Sequence, residues 1–368
     1  MQVHENVLLA PYTTFKIGGP AIFFVYAQTD EEIIATVEHA SDLNVPLLVF
    51  GGGSNVLVSD LGFKGLAMRI ETIGMDIEET TDEYVILKVA SGEVWDDVVR
   101  FTVEQEWYGI ENLSHIPGFM GGFAVQNVGA YGQEASQTVT KVEAYDTKEQ
   151  KVVILSADNC QFGYRSSIFN TTNKGRYIIL HTYLKLQKNG AVNLSYSDLR
   201  KYFSEGIPSI AQVRNAVITI RDTKFPFPDT PTTGNAGSFF NAPIIADEAF
   251  TKLTQQVKES FGIDSQARLA SMQDRLKVLQ GYKVPYAFLI EQCGLKGYQS
   301  GGAKVNEPHP GVIVNVTGGA TAKDVLKVAK HVIETVRVKT GIILSIEPRL
   351  IGFNESEISE LFGNITEK

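Results

Sequence analysis

The sequence predicts an α+β protein built from two or three lobes. The chain has 368 residues and is longer than a usual single domain, so we expect more than one lobe. Apolar residues make up 43% of the chain and charged residues 20%, an ordinary globular composition that is able to form a core. Helical and strand patterns are interspersed along its whole length.

Composition also limits the classes of binding partner and the cellular compartment that we expect. The net charge is −9 with no basic block, which argues against binding to nucleic acid or to an anionic membrane surface. Cys160 and Cys293 lie far apart and suit a reducing compartment, and the histidines are scattered without a metal-binding pair. The N-terminus lacks the features of a signal peptide, and no apolar run reaches transmembrane length. We therefore expect a cytoplasmic protein with no metal site and no membrane insertion.

Local signals place the elements in order along the chain. Ser or Thr at a helix start predicts three capped helices, at 29–44, 209–224 and 321–339, the last of them ended by Gly341. Further helices are predicted at 93–106, at 246–261 and after Pro285. Strands are predicted at 45–50, 56–58, 84–90, 139–145, 151–155, 177–186, 303–305, 311–316 and 342–346. Residues 194–198 are predicted as an exposed turn, and a polar segment precedes Gln280.

A first glycine-rich loop lies between two predicted strands. It is not the strand-to-helix context of a Rossmann fingerprint, and it is not a GxxxxGK[ST] phosphate loop. Its consecutive backbone N–H groups can form an anion-binding concavity, although a plain turn is the commoner structure for such a run. The loop consists of Gly51, Gly52, Gly53, Ser54 and Asn55.

A second glycine-rich segment spans residues 116–132 and carries few charges. Its glycines indicate a backbone pressed against something flat or bulky. Two such segments in one lobe suit a large dinucleotide better than they suit two unrelated loops.

The stretch from Lys224 to Pro243 is the candidate for the chemistry. Ser238 follows Gly234, Ala236 and Gly237 and precedes two aromatic residues that can shield its hydroxyl from bulk water. Three prolines stiffen the chain before it, Pro226, Pro228 and Pro231. The alternative is a domain linker with a glycine-rich turn.

Two charged side chains are further candidates. Arg165 lies among aromatic residues and small hydroxyls, where it is either a structural Arg stacked on Tyr164 or a fork for a carboxylate or enolate. Glu347 lies at a predicted strand end, where Pro348 holds it extended. It is either a catalytic acid or an ordinary carboxylate at the rim.

Six motifs follow one another along nearly the whole chain. They are GGGSN at 51–55, IPG…QNVGAYG at 116–132, FGYRSSIF at 162–169, GNAGSFF at 234–240, EQCGLKG…GGA at 291–303 and IEPRLIG at 346–352. Taken together and in this order, they resemble one family, the UDP-N-acetylenolpyruvoylglucosamine reductases of peptidoglycan precursor synthesis. Tyr196 in a YSDL turn resembles the family variant with an extra tyrosine-bearing loop.

The resemblance implies a two-lobed FAD-binding domain of the vanillyl-alcohol-oxidase/PCMH type, followed by an α+β substrate-binding domain. It places the FAD-binding part at 1–220, with lobes at about 1–70 and 71–220, the substrate domain at 221–345, and a returning segment at 346–368. It implies FAD as cofactor, NADPH as reductant, UDP-N-acetylglucosamine enolpyruvate as substrate, and a monomer.

The resemblance also implies roles for individual residues. Hydride would pass from the reduced flavin to C3 of the enolpyruvyl group, Ser238 would deliver the proton to C2, and Arg165 and Glu347 would stabilise the enolate-like intermediate. The substrate-binding residues would be Tyr196, Lys224, Asn241 and His309. The cofactor-binding residues would be Gly51, Gly52, Gly53, Ser54, Asn55, Ile116, Pro117, Gly118, Gly121, Gln126, Asn127, Gly129, Ala130 and Tyr131. One departure is Asn241-Ala242-Pro243, where the family usually has Lys-Asn-Pro.

Other functions remain open at this point. A flavin-linked sugar or alcohol oxidase would keep the fold and would react with oxygen, although an oxidase needs a base near its substrate rather than a proton-donating Ser. A hydrolase with Ser238 as nucleophile lacks the GxSxG elbow and an evident His partner. A non-catalytic nucleotide-sugar binder explains the two glycine-rich segments less well.

Overall fold

The computed structural model describes residues 1–204, 206–225, 233–241 and 243–363, without the side chains of residues 360 and 361. Pro226, Pro228, Pro231 and Ala242 therefore lie outside the described residues. The chain forms two compact units, each discontinuous in sequence. The first unit comprises residues 1–7, 21–53 and 64–223, and the second comprises 8–20, 54–63 and 224–368.

The strands are short in the second unit and longer in the first. The strands up to residue 187 are β1 Val3–Leu8, β2 Pro20–Ala27, β3 Leu47–Phe50, β4 Val56–Val58, β5 Phe63–Ile70, β6 Met75–Thr80, β7 Tyr84–Ala90, β8 Gly129–Ala130, β9 Gln133–Glu134, β10 Val139–Asp146, β11 Lys151–Ser156 and β12 Tyr177–Gln187. The later strands are β13 Phe240–Asn241, β14 Ile244–Ile245, β15 Lys277–Val278, β16 Gly281–Lys283, β17 Gln299–Ser300, β18 Ala303–Val305, β19 Ile313–Asn315, β20 Ser345–Ile346 and β21 Arg349–Ile351.

Three helices begin at the side-chain caps that the sequence predicts. Thr29 and Thr321 each accept a hydrogen bond from the backbone N–H three residues on, and Ser209 does the same for Gln212, so all three predicted caps are confirmed. The helices are α1 Asp30–Asp42, α2 Trp95–Glu104, α3 Met120–Val125, α4 Ala157–Cys160, α5 Ser197–Tyr202, α6 Ile210–Lys224, α7 Asp247–Phe261, α8 Ile263–Ala270, α9 Gln273–Leu276, α10 Tyr286–Gln292, α11 Ala322–Thr340 and α12 Glu355–Phe362.

The first unit contains two large sheets and the small hairpin of β8 and β9. A four-stranded sheet has the order β1-β2-β5-β3, and a five-stranded antiparallel sheet has the order β11-β10-β12-β7-β6. One core packs α2 and α3 against the five-stranded sheet, with Trp95 and Phe123 stacked at 3.9 Å. A second core joins β2, α1 and β5 to Tyr145, Ile178 and Leu180 of the five-stranded sheet.

The second unit is organised around α11. Its apolar stripe, including Val325, Val328, Val332 and Val336, is fully buried in a core with α7 and α10. Small two- and three-stranded sheets surround this core. In one of them β21 pairs with β4 in parallel, so residues near the C-terminal end of the chain pair with residues 56–58. No helix among the described residues has the length and apolarity that a membrane crossing needs.

Three predicted elements were wrong in detail. The polar segment before Gln280 contains α8 and α9, the exposed turn at 194–198 leads directly into α5, and only Ser345–Ile346 of the predicted strand 342–346 pairs in a sheet. The partial pairing of residues 342–346 depends on a strand that is distant in the sequence, Phe240–Asn241.

Candidate active site

Gly51 and Gly52 of the first glycine loop pack directly against the second glycine segment, and all of these residues lie in the first unit. A Cβ added to Gly51 would lie 2.9 Å from Cβ of Phe119, and one added to Gly52 would lie 2.8 Å from Cα of Gly118. Gly53 has φ +60, a left-handed conformation that favours glycine. The loop therefore needs its glycines for close backbone packing as well as for any ligand.

The second segment is fixed on the turn between β7 and α2. Trp95 N donates to Gly118 O at 3.0 Å, Met120 N donates to Glu93 O at 2.8 Å, and Gly121 N donates to Ser91 O at 2.8 Å. A Cβ added to Gly122, by contrast, would meet no atom within 4 Å. One face of α3 is thus tied to the protein, while the Gly122 position opens onto free space.

Residues 127, 129 and 131 connect this segment to two other parts of the first unit, the turn at 163–166 and Tyr196. Asn127 Nδ2 donates to Gly163 O at 3.0 Å, and Gly129 O accepts from Arg165 Nη1 at 2.9 Å. The Tyr131 ring meets Tyr196 edge-on at 5.2 Å. Tyr131 and Gly132 form the two-residue turn between β8 and β9, and both have positive φ, +49 and +86, as a type I′ turn requires.

Arg165 is held at the tip of a tight turn. Gly163 and Ser166 exchange backbone hydrogen bonds across this turn, and Arg165 has φ +53. Its carbonyl accepts from Asn170 Nδ2 at 3.1 Å, and its guanidinium lies 5.7 Å from the centroid of the Tyr164 ring. Left-handed backbone in a non-glycine residue costs about 1–3 kcal/mol and tends to occur where function needs it. The structure thus places the guanidinium near the Tyr164 ring, and the role of Arg165 in recognition stays a prediction.

In the second unit, Ser238 lies on an irregular strand that is paired on both edges. Ser238 bridges Val312, and Phe239 N donates to Gly311 O at 2.7 Å. On the other edge Phe239 O accepts from Glu347 N at 3.0 Å, and Phe240 pairs with Ile346. The hydroxyl is half-buried, while the rings of Phe239 and Phe240 are fully buried in the core of the unit. These aromatic residues therefore anchor the strand that bears Ser238.

This pairing brings the candidate residues Ser238 and Glu347 to adjacent chain segments. Asn241 continues the same ladder opposite Ser345. Before Ser238, Gly237 has φ +71 and its N–H donates to Asn235 Oδ1 at 2.9 Å. The local turn and the ladder together fix the position of the Ser238 backbone, from which its hydroxyl projects.

Lys224 and His309 are neighbours in the second unit. Lys224 O accepts from Asn306 Nδ2 at 2.9 Å, and the Phe225 ring meets His309 edge-on at 5.1 Å. Burial, with a smaller contribution from the Lys224 ammonium, lowers the pKa of His309 to about 4. The imidazole is therefore neutral at physiological pH and can both donate and accept a hydrogen bond.

Sequence reasoning missed a group of charged residues that fixes the second glycine segment. Arg214 forms a bidentate ion pair with Asp96, in which Nη1 and Nη2 each donate to a carboxylate oxygen at 2.7 Å. Arg221 Nε donates to His115 O at 2.8 Å. Burial opposes ionisation of Asp96, but its bonds to Arg214 and to His115 N hold its pKa below the usual value. These residues come together only when α6 packs on α2, and nothing in the sequence around them points to that contact.

Two family matches divide the chain between a cofactor part and a second part. Residues 21–156 match the FAD binding domain family, and residues 229–351 match the C-terminal domain family of UDP-N-acetylenolpyruvoylglucosamine reductase. The described residues hold no cluster of side chains suited to a metal ion. The fold and its glycine segments define a flavin-dependent oxidoreductase with FAD as cofactor.

Relatives over the full length identify the family. The UDP-N-acetylenolpyruvoylglucosamine reductase of Streptomyces avermitilis is 38% identical over 361 residues, covering 96% of each chain. That of Photobacterium profundum is 35% identical over 362 residues, covering 98% of this chain and 99% of the relative. The solved reductase structure from Thermus caldophilus covers 95% of this chain and 99% of its own at a TM-score of 0.65 and 23% identity, which supports the fold. The chain belongs to the UDP-N-acetylenolpyruvoylglucosamine reductase family.

Family membership confirms the predicted resemblance, the predicted fold class and the predicted cofactor. It favours the reductase over the flavin-linked oxidase. The roles of individual residues stay predictions.

Proposed function

We propose that this chain reduces UDP-N-acetylglucosamine enolpyruvate to UDP-N-acetylmuramate with NADPH as reductant, and that Ser238, Arg165 and Glu347 carry the reaction. The observation that supports these roles most is the ladder around Ser238, which pairs the Ser-bearing strand with the segment that bears Glu347. We also propose that the protein is a cytoplasmic monomer, with a cofactor part near residues 1–220 and a substrate part after it.

The glycine segments fit an FAD. The open position at Gly122, beside a backbone tied down at Gly118 and Gly121, provides a surface with no side chain in the way. When bound, FAD supplies the hydride chemistry that links NADPH to the enolpyruvyl group. The loop at 51–55 would hold its pyrophosphate through backbone N–H groups, and residues 116–131 would line its flavin side.

Ser238 would act as the general acid. A hydroxyl is a weak proton donor, so its geometry must be fixed with respect to C2 of the substrate. Pairing of its strand on both edges and a buried residue on its C-terminal side provide that rigidity.

Arg165 and Glu347 would act on the charge that develops in the substrate. Hydride addition at C3 spreads negative charge over C2 and the carboxylate, and a pre-oriented guanidinium stabilises it without reorganisation. The left-handed backbone of Arg165 and its bond to Gly129 O provide the pre-orientation. Glu347 would complete the hydrogen-bonding environment of the same intermediate.

The remaining predicted residues would bind the nucleotide part of the substrate. Lys224 and Tyr196 would grip the diphosphate, the first as a compact cation and the second through its hydroxyl. His309 and Asn241 would add neutral polar contacts.

One assay tests the proposal. The purified protein should be yellow, and NADPH oxidation should depend on added UDP-N-acetylglucosamine enolpyruvate. A flavin-containing protein that oxidises NADPH with oxygen and ignores the enolpyruvyl substrate would contradict the proposed function while leaving the FAD assignment intact.

A further inference from the structure

The turn that leads into Ser238 is bound to a segment that lies far earlier in the chain. Thr14 Oγ1 donates to Asn235 O at 2.7 Å, across a separation of 221 residues. Asn235 N in turn donates to Thr14 O at 3.1 Å. Both residues belong to the second unit. Because these two bonds use the backbone donor and a backbone acceptor of Asn235, Thr14 fixes the position of the Asn235 backbone.

Gly234 allows the two segments to lie this close together. A Cβ added to Gly234 would lie 2.4 Å from Phe15 O and 2.7 Å from Thr14 O. Gly234 also exchanges two backbone hydrogen bonds with Asn315, at 3.2 and 2.8 Å. Asn315 is fully buried, and its Nδ2 donates to Phe15 O at 3.3 Å. The chain before Ser238 is therefore held both by residues 14–15 and by Asn315.

The side chain of Asn235 connects this contact to Ser238. Its Oδ1 accepts from Gly237 N at 2.9 Å, and Gly237 has the left-handed φ of +71. A bond from an Asn side chain to the backbone two residues on forms an Asx turn. Asn235 is only 5% exposed, so water competes little for this bond. Because Gly237 directly precedes Ser238, the Asx turn sets the direction in which the chain enters the ladder.

Phe15 supports the chain on the other side of Ser238. Its ring is fully buried and meets the ring of Phe239 edge-on at 6.2 Å. An edge-to-face ring pair adds a preferred geometry to the burial of two large side chains. Thr14 and Phe15 thus contact the chain both before and after Ser238.

We propose that Thr14 is a positioning residue that, through Asn235, holds the Ser238 hydroxyl in the geometry that proton transfer to C2 of the substrate requires. The inference deepens the proposed function and rests on it. A misplacement of about 1 Å can cost about a hundredfold in the rate of a chemical step. Loss of the contact should therefore slow the half-reaction that needs the proton, and leave substrate binding and flavin reduction unchanged.

Thr14→Val provides the first test, since valine has nearly the shape of threonine and lacks the hydroxyl that donates to Asn235 O. The rate of flavin reoxidation at saturating enolpyruvyl substrate should fall about tenfold. KM for the UDP-sugar should stay within about twofold of wild type. Flavin content and flavin reduction by NADPH should match wild type. Thr14→Ser keeps the donor and should recover most of the reoxidation rate.

Thr254→Val is the matched control. Thr254 is a partly buried threonine of the same unit, and its hydroxyl donates to the backbone O of Phe250 at 2.9 Å within α7. The substitution removes the same kind of bond from a helix that takes no part in the ladder of Ser238, so reoxidation should keep the wild-type rate. An equal fall in Thr14→Val and Thr254→Val would assign the effect to lost stability and overturn the proposal.

A double-variant cycle tests whether Thr14 acts through Ser238. If it does, Thr14→Val combined with Ser238→Ala should reoxidise no more slowly than Ser238→Ala alone, within about twofold. Fully additive effects, or a proportional fall in both half-reactions, would overturn the proposal. A raised KM with an unchanged reoxidation rate at saturation would do the same.

Hydrogen exchange provides a readout that does not depend on turnover. In Asn235→Ala, where Gly237 N loses its acceptor, and in Thr14→Val, amides of residues 234–240 should exchange faster while those of α11 stay protected. Unchanged exchange in every folded variant would refute the positioning role.

Asn235→Ala should also reproduce the slow reoxidation, and it decides the question if Thr14→Val does not fold. A wild-type protein whose reduced flavin is not reoxidised by the enolpyruvyl substrate would refute the proposed function itself. Wild-type reoxidation that stays equally fast in Thr14→Val and Asn235→Ala would refute only the positioning role.

Discussion

His309 should make the stability of the protein fall on acidification in a defined window. Its side chain is partly buried beside Lys224, and its folded-state pKa is lowered from 6.5 to about 4. Above pH 6.5 the imidazole is neutral in both the folded and the unfolded chain and contributes nothing to pH dependence. Between pH 6.5 and 4 the unfolded chain binds a proton that the folded chain does not. Stability should therefore decrease as pH falls through this window.

The size of the effect follows from the difference in pKa. One pKa unit corresponds to about 1.4 kcal/mol, so a fall from pH 7.5 to pH 5 should remove about 2 kcal/mol through His309 alone. His309→Gln keeps a polar side chain that does not titrate. The variant should gain about 2 kcal/mol relative to wild type over the same change of pH. Lys224→Met removes the nearby like charge and should make the acid-induced loss smaller.

Urea unfolding of the holoenzyme at pH 7.5, 6.5, 5.5 and 5 measures this difference directly. Wild type and His309→Gln are compared at each pH, so the contribution of all other groups cancels. Proteins labelled with ¹³C at the histidine Cε1 provide the pKa itself, since the signal absent from His309→Gln belongs to His309. A stability difference that stays flat from pH 7.5 to 5, or a His309 signal that titrates near 6.5, would refute the reasoning.

Three further predictions address the site. Ser238→Ala should leave the rate of flavin reduction by NADPH near wild type and slow reoxidation of the flavin by the enolpyruvyl substrate by ~10²–10⁴-fold. Stopped-flow absorbance measures the two half-reactions separately. Slow reduction with wild-type reoxidation would exclude the proposed role of Ser238. Gly52→Val places Cβ against Cα of Gly118 at 2.8 Å, an overpacking worth about 1–3 kcal/mol, and should lower the flavin content of the purified protein. Gly319→Ala, whose methyl would meet only Thr317 Oγ1 at 3.8 Å, is its control, and full flavin occupancy in Gly52→Val would contradict the assignment. Lys224→Ala should raise KM for the UDP-sugar by ~10–150-fold, because a charge-assisted contact of about 1.5–3 kcal/mol is lost. An unaltered KM with a strongly reduced kcat would instead give Lys224 a role in the chemical step.

Features encoded by neighbouring residues could be predicted from the sequence. The cap at Thr321 needs only Asp324 three residues later, and Gly341 ends the same helix with φ +72. The glycine-rich segment that contains the turn at Tyr131 and Gly132 could also be identified from consecutive residues alone. Such features depend on a few consecutive residues, so their chemistry is legible in the sequence.

Features that depend on distant partners could not be predicted in the same way. Residues 342–346 have strand composition, but a partner is available only to Ser345 and Ile346. Helix α8 spans only eight residues and buries only Ser265 and Leu269, so few positions in the sequence mark it as a helix. The contacts of the buried Asn112 could not be predicted at all. Its side chain donates hydrogen bonds to the backbone carbonyls of Tyr131 and Asn193, and every residue has such a carbonyl.

The pairing of β21 with β4 has a consequence for the order in which the protein is completed. Arg349 N donates to the O of Asn55, the last residue of the first glycine loop, at 3.0 Å, and β21 continues this contact along Val56–Val58. During synthesis the loop emerges long before its partner, because most of the given sequence separates residue 55 from residue 349. Loop closure over such a length is slow and contributes to folding only at the end. We expect the glycine loop to stay incomplete on the ribosome, and the cofactor to be bound firmly only after the last strand has docked.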